Sequence, residues 1–449
     1  MTSFRGLRSF AFTFLFFCFS TFLYAQDLSY AGSLSALAGA GLPNTHDNKG
    51  TFLVGNLLYD NLVKASLGDS FFCFNAILVG DGVGSQSTNG LSALVTDDGH
   101  FAIKLKEAYF DYNGSFWALR AGRMIAAWGK ADGIQITDVL CPQDESSMIA
   151  STYKESRQGI DAVRLSYTGE KVQADAYWIP LFTPSTLPLA ARNPMRKILF
   201  PEKYGNYTLV TPKRYDDFDL PEKSLANSEY AARVSLYFSA LDLSFYAFYG
   251  WDDLPFMTYT VTPEAKVNVT GGYERMTMFG LDAAIPAGDF VFRFESAYFP
   301  RRYVQTADEW QARQQAAGKS FSAAERHHQL VGLGGFDWTP GSGWTLSAQY
   351  IADYVFGDDT ALNRNNYRHQ ASLSVEKMLL NDTLSLSGLA FLDLRELSST
   401  TQLSAEYSLT DAIKLALIGN IFLEGPEKAG LYGSYHDLSC LTLKGTVSF

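Results

Sequence analysis

Long apolar runs are missing from this 449-residue chain once its first residues are passed. A helix that crosses a membrane needs about 20 consecutive apolar residues, and the mean hydropathy is only −0.05. Cysteine is scarce as well: the four residues are widely scattered, which excludes a disulfide-rich scaffold and a cysteine zinc site. Basic residues are fewer than acidic ones, 36 against 47, so the formal net charge of −11 argues against nucleic acid as a partner.

The amino terminus has the three parts of a secretory signal peptide. Arg5 and Arg8 precede an apolar run over 10–24, and the small residue Ala25 follows it. This run is shorter than the ~18 to 20 apolar residues of a spanning helix. We therefore predict a signal peptide over 1–25, cleaved after Ala25, rather than a membrane anchor. Its removal deletes two positive charges and takes the formal net charge from −11 to −13.

Aromatic residues, in contrast, are abundant. The chain has 25 Tyr, 33 Phe and 7 Trp, together 14% of its residues. Many aromatics without an apolar helix are typical of a β-barrel in a membrane, where they form girdles at both interfaces. A large soluble all-β protein is the alternative.

The end of the chain follows a strict two-residue period. Leu441, Leu443, Val447 and Phe449 alternate with polar residues such as Lys444. A strand with this pattern has one apolar and one polar face. It fits a closed transmembrane barrel, whose outer face contacts lipid and whose inner face lines a wet lumen. We expect the terminal Phe449 to act as a barrel-assembly signal.

The same alternation recurs upstream and predicts an all-β chain. We expect a single antiparallel transmembrane barrel over 26–449 with about 18 strands, or about 16 as the alternative. Short connections rich in Gly, Asn, Asp and Pro alternate with long ones, as expected for periplasmic turns and extracellular loops. The long connections are predicted at about 39–50, 81–100, 125–157, 180–227, 253–271, 300–326, 357–366 and 424–437.

Two connections and one strand carry further signals. The longest connection, 180–227, shows no periodic element, whereas 305–326 indicates a short helix. In the strand over 101–112 the apolar face changes side near Lys106 and Glu107. This change predicts a β-bulge, which would turn Glu107 and Asp111 inward.

The sharpest motif begins in this strand. It runs from Lys106-Glu-Ala-Tyr-Phe-Asp111 through Leu119-Arg120-Ala-Gly-Arg123 and Trp128-Gly-Lys-Ala-Asp-Gly133 to Thr137-Asp138 and Pro142-Gln143-Asp144. Over 106–144 the chain resembles a family of porin-like outer-membrane β-barrels of largely unassigned function. The resemblance implies a barrel and the passage of solutes, without a named substrate.

The segment 125–157 is predicted to be a loop folded into the barrel. Gly129, Gly133 and Pro142 allow sharp turns in it. Backbone at membrane depth is tolerated where it lines a wet cavity or is buried in protein, and paired charges would anchor it to the wall. An ordinary extracellular loop is the alternative. The predicted constriction residues are Glu107, Asp111, Arg120, Arg123, Trp128, Lys130, Asp132, Asp138 and Asp144.

Charged residues on the predicted inner faces form two groups. A basic wall opposite an acidic wall would create a transverse field that favours dipolar solutes and tunes ion selectivity. Local pairing of these charges is the alternative. The first group is Arg120, Arg164, Arg233 and Arg293, with Glu295 among them; the second is Asp353, Glu376, Asp393 and Glu406.

These patterns together predict a passive channel for small polar or charged solutes in the outer membrane of a bacterium. One alternative is an uptake barrel for hydrophobic compounds, and another is an adhesin that binds through the loops 180–227 and 300–326. In the uptake barrel the hydrophobic compound would follow an apolar path, lined by Trp128, Ile134, Ile136 and Val139.

Catalysis is not expected. The six histidines show no spacing typical of a nucleophile or a metal site, so we predict no enzyme, no cofactor and no metal. The expected partners are membrane lipid, a lipopolysaccharide-like outer leaflet, the barrel-assembly machinery and small solutes. Nucleic acid is not expected, and the pattern does not specify an oligomeric state.

Overall fold

The computed structural model describes residues 27–204, 206–426 and 430–449, and the predicted signal peptide lies outside these ranges. Three short helices occur in them, α1 (Tyr153–Ser156), α2 (Arg196–Leu199) and α3 (Asp308–Ala316). The strands are β1 (Asp27–Gly41), β2 (Phe52–Leu67), β3 (Ser70–Asp81), β4 (Ala93–Val95), β5 (Phe101–Asn113), β6 (Trp117–Met124), β7 (Ile160–Thr168), β8 (Val172–Ile179), β9 (Lys203–Tyr204), β10 (Tyr207–Val210), β11 (Glu229–Tyr237), β12 (Asp242–Trp251), β13 (Phe256–Val261), β14 (Lys266–Gly272), β15 (Arg275–Ala287), β16 (Phe290–Gln305), β17 (Ala324–Gly341), β18 (Trp344–Val355), β19 (Tyr367–Leu379), β20 (Leu384–Asp393), β21 (Ser399–Ser408), β22 (Ile413–Leu423) and β23 (Cys440–Ser448).

Eighteen of these strands, all except β4, β9, β10, β13 and β14, form one antiparallel barrel in chain order. The barrel closes because β1 pairs with β2 on one side and with β23 on the other. Ala38 of β1, for example, lies between Gly55 and Leu443. A closed ladder leaves no open edge among the barrel strands. The predicted all-β barrel and the count of 18 are therefore confirmed.

The outer face of the barrel is apolar, as the alternation predicts. On β23 the side chains of Leu441 and Leu443 are 45% and 58% exposed on the outside, whereas Cys440 and Thr442 are buried. The outward Leu443 lies opposite Leu417 of β22. A shift of one residue would exchange the two faces, so the apolar outer surface specifies the register of each strand.

The two ends of the barrel differ in the length of their connections. One end has short turns only, at 68–69, 114–116, 169–171, 238–241, 288–289, 342–343, 380–383 and 409–412. Gly68 and Gly288 take positive φ in two of these turns, where glycine is favoured. β1 starts and β23 stops at this same end of the barrel, because Asp27 pairs with Ser66 beside the first turn and Phe449 bonds to Gly32 of β1. At the opposite end every connection is long except 394–398.

A β-bulge in β5 lies where the sequence predicts it. Leu105 pairs with Ala76 of β3 and Glu107 pairs with Asn75, so Lys106 is the extra residue. Two consecutive side chains of β5 thereby face the lumen, and the faces exchange after them. Asp111 lies inside the barrel and is buried. The predicted bulge is confirmed.

Loops at the long-loop end form a second, smaller sheet. Its strand order is β13-β14-β10-β9, so it joins the connection 180–228 to the connection 252–274. The expectation that 180–227 holds no regular element was wrong, because β10 gains its partner from a hairpin that is distant in sequence. Helix α3 confirms the short helix predicted within 305–326.

Glutamine side chains cover the outer edge of this small sheet. Gln311 and Gln315 of α3 accept from the backbone N–H groups of Tyr259 and Val261 at 2.8 and 2.9 Å. Their amides donate to the carbonyl oxygens of Met257 and Val261 at 3.0 and 2.7 Å. These bonds satisfy backbone groups of β13 that an edge strand otherwise leaves unpaired.

Aromatic side chains gather on the outside near both ends of the barrel. Phe449 stacks on Tyr30 with ring centroids 5.8 Å apart, beside the seam where β23 meets β1. Near the other end the hydroxyls of Tyr350 and Tyr367 lie 2.7 Å apart. Such girdles are typical of membrane interfaces. Among the described residues, no helix is both long and apolar enough to cross a membrane.

Candidate functional site: the lumen and its inward loop

The connection between β6 and β7, residues 125–159, crosses the lumen, and we call it the inward loop. Its contacts lie on inner faces of strands that are far apart around the barrel. Tyr246 of β12 accepts from the Gly129 N–H at 3.4 Å, whereas Asn420 of β22 donates to the Ile149 carbonyl at 3.2 Å. A segment that touches opposite walls in this way lies inside the barrel.

Glu295 of β16 holds the first part of the inward loop. Its carboxylate accepts from the backbone N–H groups of Lys130, Ala131 and Thr137 at 2.6, 2.8 and 2.8 Å. The Thr137 hydroxyl donates to the same carboxylate at 2.7 Å. Gly129 allows the turn with φ of 80° and packs against this carboxylate. Four donors around one buried carboxylate compensate the loss of its hydration.

Asp138 joins the two halves of the inward loop. It accepts from the Trp128 N–H at 3.1 Å and from the Tyr153 hydroxyl at 3.0 Å. It also forms an ion pair with Arg157 in which both side chains are largely buried. One carboxylate thus bonds residues up to 19 positions away from it in the chain. The loop therefore has internal polar bonds of its own as well as bonds to the wall.

Asp144 is fixed by the barrel wall. Lys104 of β5 lies 2.7 Å from this carboxylate, and the Ser146 hydroxyl donates to it at 2.5 Å. Burial alone would raise the pKa of Asp144, but the charge of Lys104 and the hydrogen bonds hold this pKa below its ordinary value. The carboxylate is accordingly ionised at neutral pH and anchors the second part of the inward loop.

Apolar packing anchors the loop as well, which the charge pattern alone did not predict. Trp128 and Ile136 are 5% and 2% exposed in one buried cluster with the wall. The Trp128 ring lies 4.9 Å from that of Tyr246 between centroids. We call the apolar inner face that receives the loop the apolar wall. It consists of Tyr177, Ile179, Phe248, Met276, Met278, Phe299, Leu333 and Ile351.

The opposite inner face carries hydroxyl and amide groups, and we call it the polar wall. Neighbouring side chains bond to each other along it. Gln402 donates to Asn420 at 2.9 Å, and the hydroxyls of Ser35 and Thr446 lie 2.9 Å apart. The polar wall consists of Ser372, Ser374, Ser385, Ser387, Gln402, Ser404, Asn420, Thr442, Thr446 and Ser35.

Most of the predicted basic group has carboxylate partners. Arg120 pairs with Asp111 at 2.5 Å and Arg233 pairs with Asp175 at 2.5 Å. Arg293 pairs with two carboxylates, Asp132 at 2.9 Å and Asp337.

Arg164 differs from these three, because no carboxylate lies within 4.0 Å of it among the residues that the structure describes. Its partners across the strand ladder are Arg120 of β6 and Tyr177 of β8. The pairing of the other three arginines favours the alternative in which charges of the lumen neutralise each other locally.

The predicted acidic group is also partly neutralised. Asp353 pairs with Arg364 at 2.6 Å, and Glu406 pairs with Lys414 at 2.8 Å. The remaining two carboxylates accept hydrogen bonds: Glu376 accepts from the Ser385 hydroxyl at 3.0 Å, and Asp393 accepts from the Arg395 N–H at 3.0 Å.

Arg123 and Glu107 position the entry of the inward loop. Arg123 bonds Asp161 through two nitrogens, at 2.9 and 2.7 Å. It also donates to the Leu91 carbonyl at 2.8 Å. Glu107 accepts from the Ile125 N–H at 3.3 Å. These two residues therefore fix the backbone on either side of the point where the chain leaves β6.

Parts of two further connections pack on the inward loop, which was not predicted. Asn89 donates to Gln158 at 2.9 Å and to the Pro184 carbonyl at 2.7 Å. Asn193 donates to the Ser146 carbonyl at 2.9 Å. Polar residues in a loop do not reveal by themselves whether they face solvent or another loop, so the sequence held no signal for this contact.

A cavity of about 240 Å³ lies between the inward loop and the inner faces of β1, β2, β3, β5 and β23. Three lysines line it, Lys104, Lys106 and Lys444. None of them was among the predicted site residues. Lys106 is the extra residue of the bulge in β5 and Lys104 precedes it, whereas Lys444 comes from the far end of the chain, so only closure of the barrel brings the three together.

Fold and lumen together define an outer-membrane β-barrel with loops packed inside it. Residues 45–417 match the family described as "Protein of unknown function (DUF1302)", and the chain belongs to this family. None of the curated proteins compared with the chain matches it significantly.

Two solved structures share the fold at low sequence identity, and a third is a weaker match. OccAB3 of Acinetobacter baumannii has a TM-score of 0.50 and 10% identity, covering 94% of this chain and 99% of that one. OccAB1 of the same organism has a TM-score of 0.50 and 9% identity, covering 94% and 95%. The outer membrane channel DcaP of A. baumannii has a TM-score of 0.44 and 11% identity, covering 94% and 97%.

Proposed function

We propose that the protein is a passive porin-like channel for small polar or charged solutes. The polar wall carries this proposal. Its hydroxyl and amide groups run along β19 to β23 and β1, opposite the apolar wall that receives the first part of the inward loop. Solutes would exchange water for these side chains while diffusing past the loop, which narrows the lumen. No chemical step and no cofactor belong to the proposal.

The surroundings of the channel are part of the same proposal. The apolar outer face and the two aromatic girdles fit a lipid bilayer with a lipopolysaccharide-like outer leaflet. Phe449 at the seam would present the end of β23 to the barrel-assembly machinery. Export would use the signal peptide over 1–25, with cleavage after Ala25.

The uptake of hydrophobic compounds has less support from the geometry. Two residues of the suggested apolar path, Trp128 and Ile136, are buried because they pack against the apolar wall. Ile134 and Val139 pack against the same cluster. A path along these side chains would need the loop to leave the wall.

Part of the loop surface that an adhesin would use is covered by other parts of the protein. The stretch 181–200 of the long connection packs on the inward loop through Asn193 and Thr186. The small sheet of β9, β10, β13 and β14 would remain for attachment. Deletion of β9, β10 and α3, which lie in the two loops of this alternative, should leave conductance unchanged if the protein is a channel, and would abolish attachment if it is an adhesin.

Conductance of the purified protein in a planar lipid bilayer tests the proposal. We expect steady ion current in discrete steps, which report an aqueous path. A barrel that inserts, as shown by protection from protease in liposomes, but carries no current would overturn the proposed function.

A further inference from the structure

The lysine-lined cavity has a defined position in the lumen. It lies on the side of the inward loop that faces β1, β2, β3, β5 and β23, and residues 144–158 of the loop form its other side. At about 30 Å³ for each water molecule, a volume of about 240 Å³ holds about eight waters. A solute with about eight non-hydrogen atoms would fill it.

Glu155 of α1 brings the lysines of distant strands to one place. Lys106 donates to the Glu155 carbonyl at 2.8 Å, and the Lys444 ammonium lies 3.5 Å from the Glu155 carboxylate. Lys104 shares the inner face with Lys106, the extra residue of the bulge, because the two residues are two positions apart on β5. Three ammonium groups therefore border one small volume.

These ammonium groups keep donors that no protein group uses. Each ammonium has three N–H donors. Lys104 donates to Asp144, Lys106 donates to the carbonyls of Glu155 and Arg157, and Lys444 has only its longer ion pair with Glu155. At least one donor of each lysine remains for a ligand.

The three carboxylates of the lining already accept hydrogen bonds from groups of the protein. Asp144 accepts from the N–H and the hydroxyl of Ser146 as well as from Lys104. Glu155 accepts from the Thr152 N–H at 2.7 Å, which completes the cap of α1. Asp60 accepts from Asn75 at 2.7 Å. The formal charges of the three lysines and the three carboxylates balance, so a ligand would be held by the unused lysine donors and not by a net positive charge.

The rest of the lining limits the ligand to a small, hydrophilic one. Hydroxyl groups surround much of the cavity, and a short apolar strip runs along β2 and β3. The hydroxyls come from Ser33, Ser35, Ser147, Ser151, Ser156 and Thr446, and the strip from Leu58, Ile77 and Val79.

We propose that this cavity binds a small solute with a carboxylate or phosphate group, through Lys104, Lys106 and Lys444. The inference rests on the proposed channel function, because the site would bind one class of the solutes that diffuse through the lumen. Charge-assisted bonds to an oxyanion are roughly twice as strong as neutral ones, so the anionic group provides most of the affinity.

Calorimetry of the full-length protein in detergent measures ligand binding at the site, independently of ion conductance. The probes are succinate, inorganic phosphate and the uncharged succinamide. We expect succinate or phosphate to bind and succinamide not to bind. Binding by succinate alone assigns a carboxylate solute, and binding by phosphate alone assigns a phosphate solute. Equal binding of succinate and succinamide, or binding of none, overturns the site.

Substitutions of the lysines test whether these side chains bind the anion. The change Lys444→Gln should weaken the anion by about tenfold, because a bond to a charged group is lost. Lys444 anchors the loop least, so this variant keeps the fold, and Lys444→Arg should restore part of the affinity. The triple change of Lys104, Lys106 and Lys444 to Gln should abolish binding. Lys414→Gln is the matched control, since Lys414 faces the lumen but lies outside the cavity. Unchanged affinity in Lys444→Gln overturns the proposal.

Planar-bilayer recording separates this inference from the proposed function. Succinate or phosphate should interrupt the current of the wild type and do so less in Lys444→Gln. Current without binding of either anion would refute the site and leave the channel. Binding without current would refute the channel and leave the site as an anion-binding cavity.

Discussion

The apolar wall and the polar wall belong to one barrel with one kind of outer surface, yet their inner faces differ. The apolar wall buries Met278, Phe299 and Ile351 against the inward loop. The polar wall pairs hydroxyls and amides such as Gln402 and Asn420 with each other. This difference shows that the residue types on an inner face match what packs against that face, a loop or water. Apolar side chains are concentrated on the inner face where the loop removes water from them.

The comparison also changes how the lumen is divided. An opposition of basic and acidic walls was expected, but carboxylates pair with Arg120, Arg233 and Arg293, and cations pair with Asp353 and Glu406. Paired charges produce only a weak field at a distance. The division that remains is between an apolar wall that packs on Trp128 and Ile136 of the loop and a polar wall that the loop contacts at fewer points, such as Asn420.

The largest effect should come from removing the carboxylate that joins the barrel wall to the loop. Glu295→Ala deletes four hydrogen bonds to a charged group, each worth about 1.5–3 kcal/mol. We expect the inward loop to detach, which should raise the single-channel conductance and its noise. Planar-bilayer recording measures both. Glu170→Ala, at an exposed turn, serves as the control, and a wild-type trace from Glu295→Ala would show that the loop does not narrow the path.

A cavity created against the apolar wall should destabilise the barrel more than the loss of a hydroxyl on the polar wall. Ile136→Ala removes a side chain that is 2% exposed in the cluster, and such changes cost about 2–5 kcal/mol. Ser404→Ala on the polar wall should cost less than about 0.5 kcal/mol. Urea unfolding in lipid vesicles gives both free energies of unfolding. Equal values would contradict the division into two walls.

Ion selectivity should respond to the one arginine of the group that lacks a carboxylate partner. Arg164→Gln removes an uncompensated charge and should shift the reversal potential towards cation preference. Asp175→Asn removes the partner of Arg233 and should shift it towards anion preference. Reversal potentials in a salt gradient give the signs. Shifts of the same sign, or none in Arg164→Gln, would refute local neutralisation.

The smallest effect should be a change with pH in the second part of the loop. The pKa of Asp144 is held below its ordinary value, so its ion pair stabilises the folded loop above the unfolded pKa of about 3.9. This contribution is lost as the pH falls through the lower folded pKa. Conductance noise should therefore rise in strongly acidic buffer and not at pH 5 to 7. Asp144→Asn should be noisy at every pH, and an acid-dependent step that persists in it would assign the step to another group.

Much of the barrel could be predicted from the sequence. Alternating apolar residues predict the 18 strands, and the change of face near Lys106 predicts the bulge. Both depend on the geometry of a single strand, where neighbouring side chains point to opposite faces. The helix α3 is a local signal of the same kind.

The site could be predicted only in part. The charges of the segment over 106–144 mark residues that prove to have partners inside the barrel, such as Asp138 and Asp144. The partner Glu295 lies 158 positions or more from its donors, and the contact of Asn193 with the inward loop has no local signal. Pairings of this kind depend on which loops meet when the barrel closes.

The amino-acid sequence by itself determined which residues form strands, which face of each strand is apolar and where one strand gains an extra residue. Tertiary structure alone decided which inner face receives the first part of the inward loop, which loops enter the lumen and which three lysines share a cavity. The physical reason is that a strand's two faces follow from its own backbone geometry. What covers an inner face follows from closure of the ladder, which places residues distant in the chain side by side.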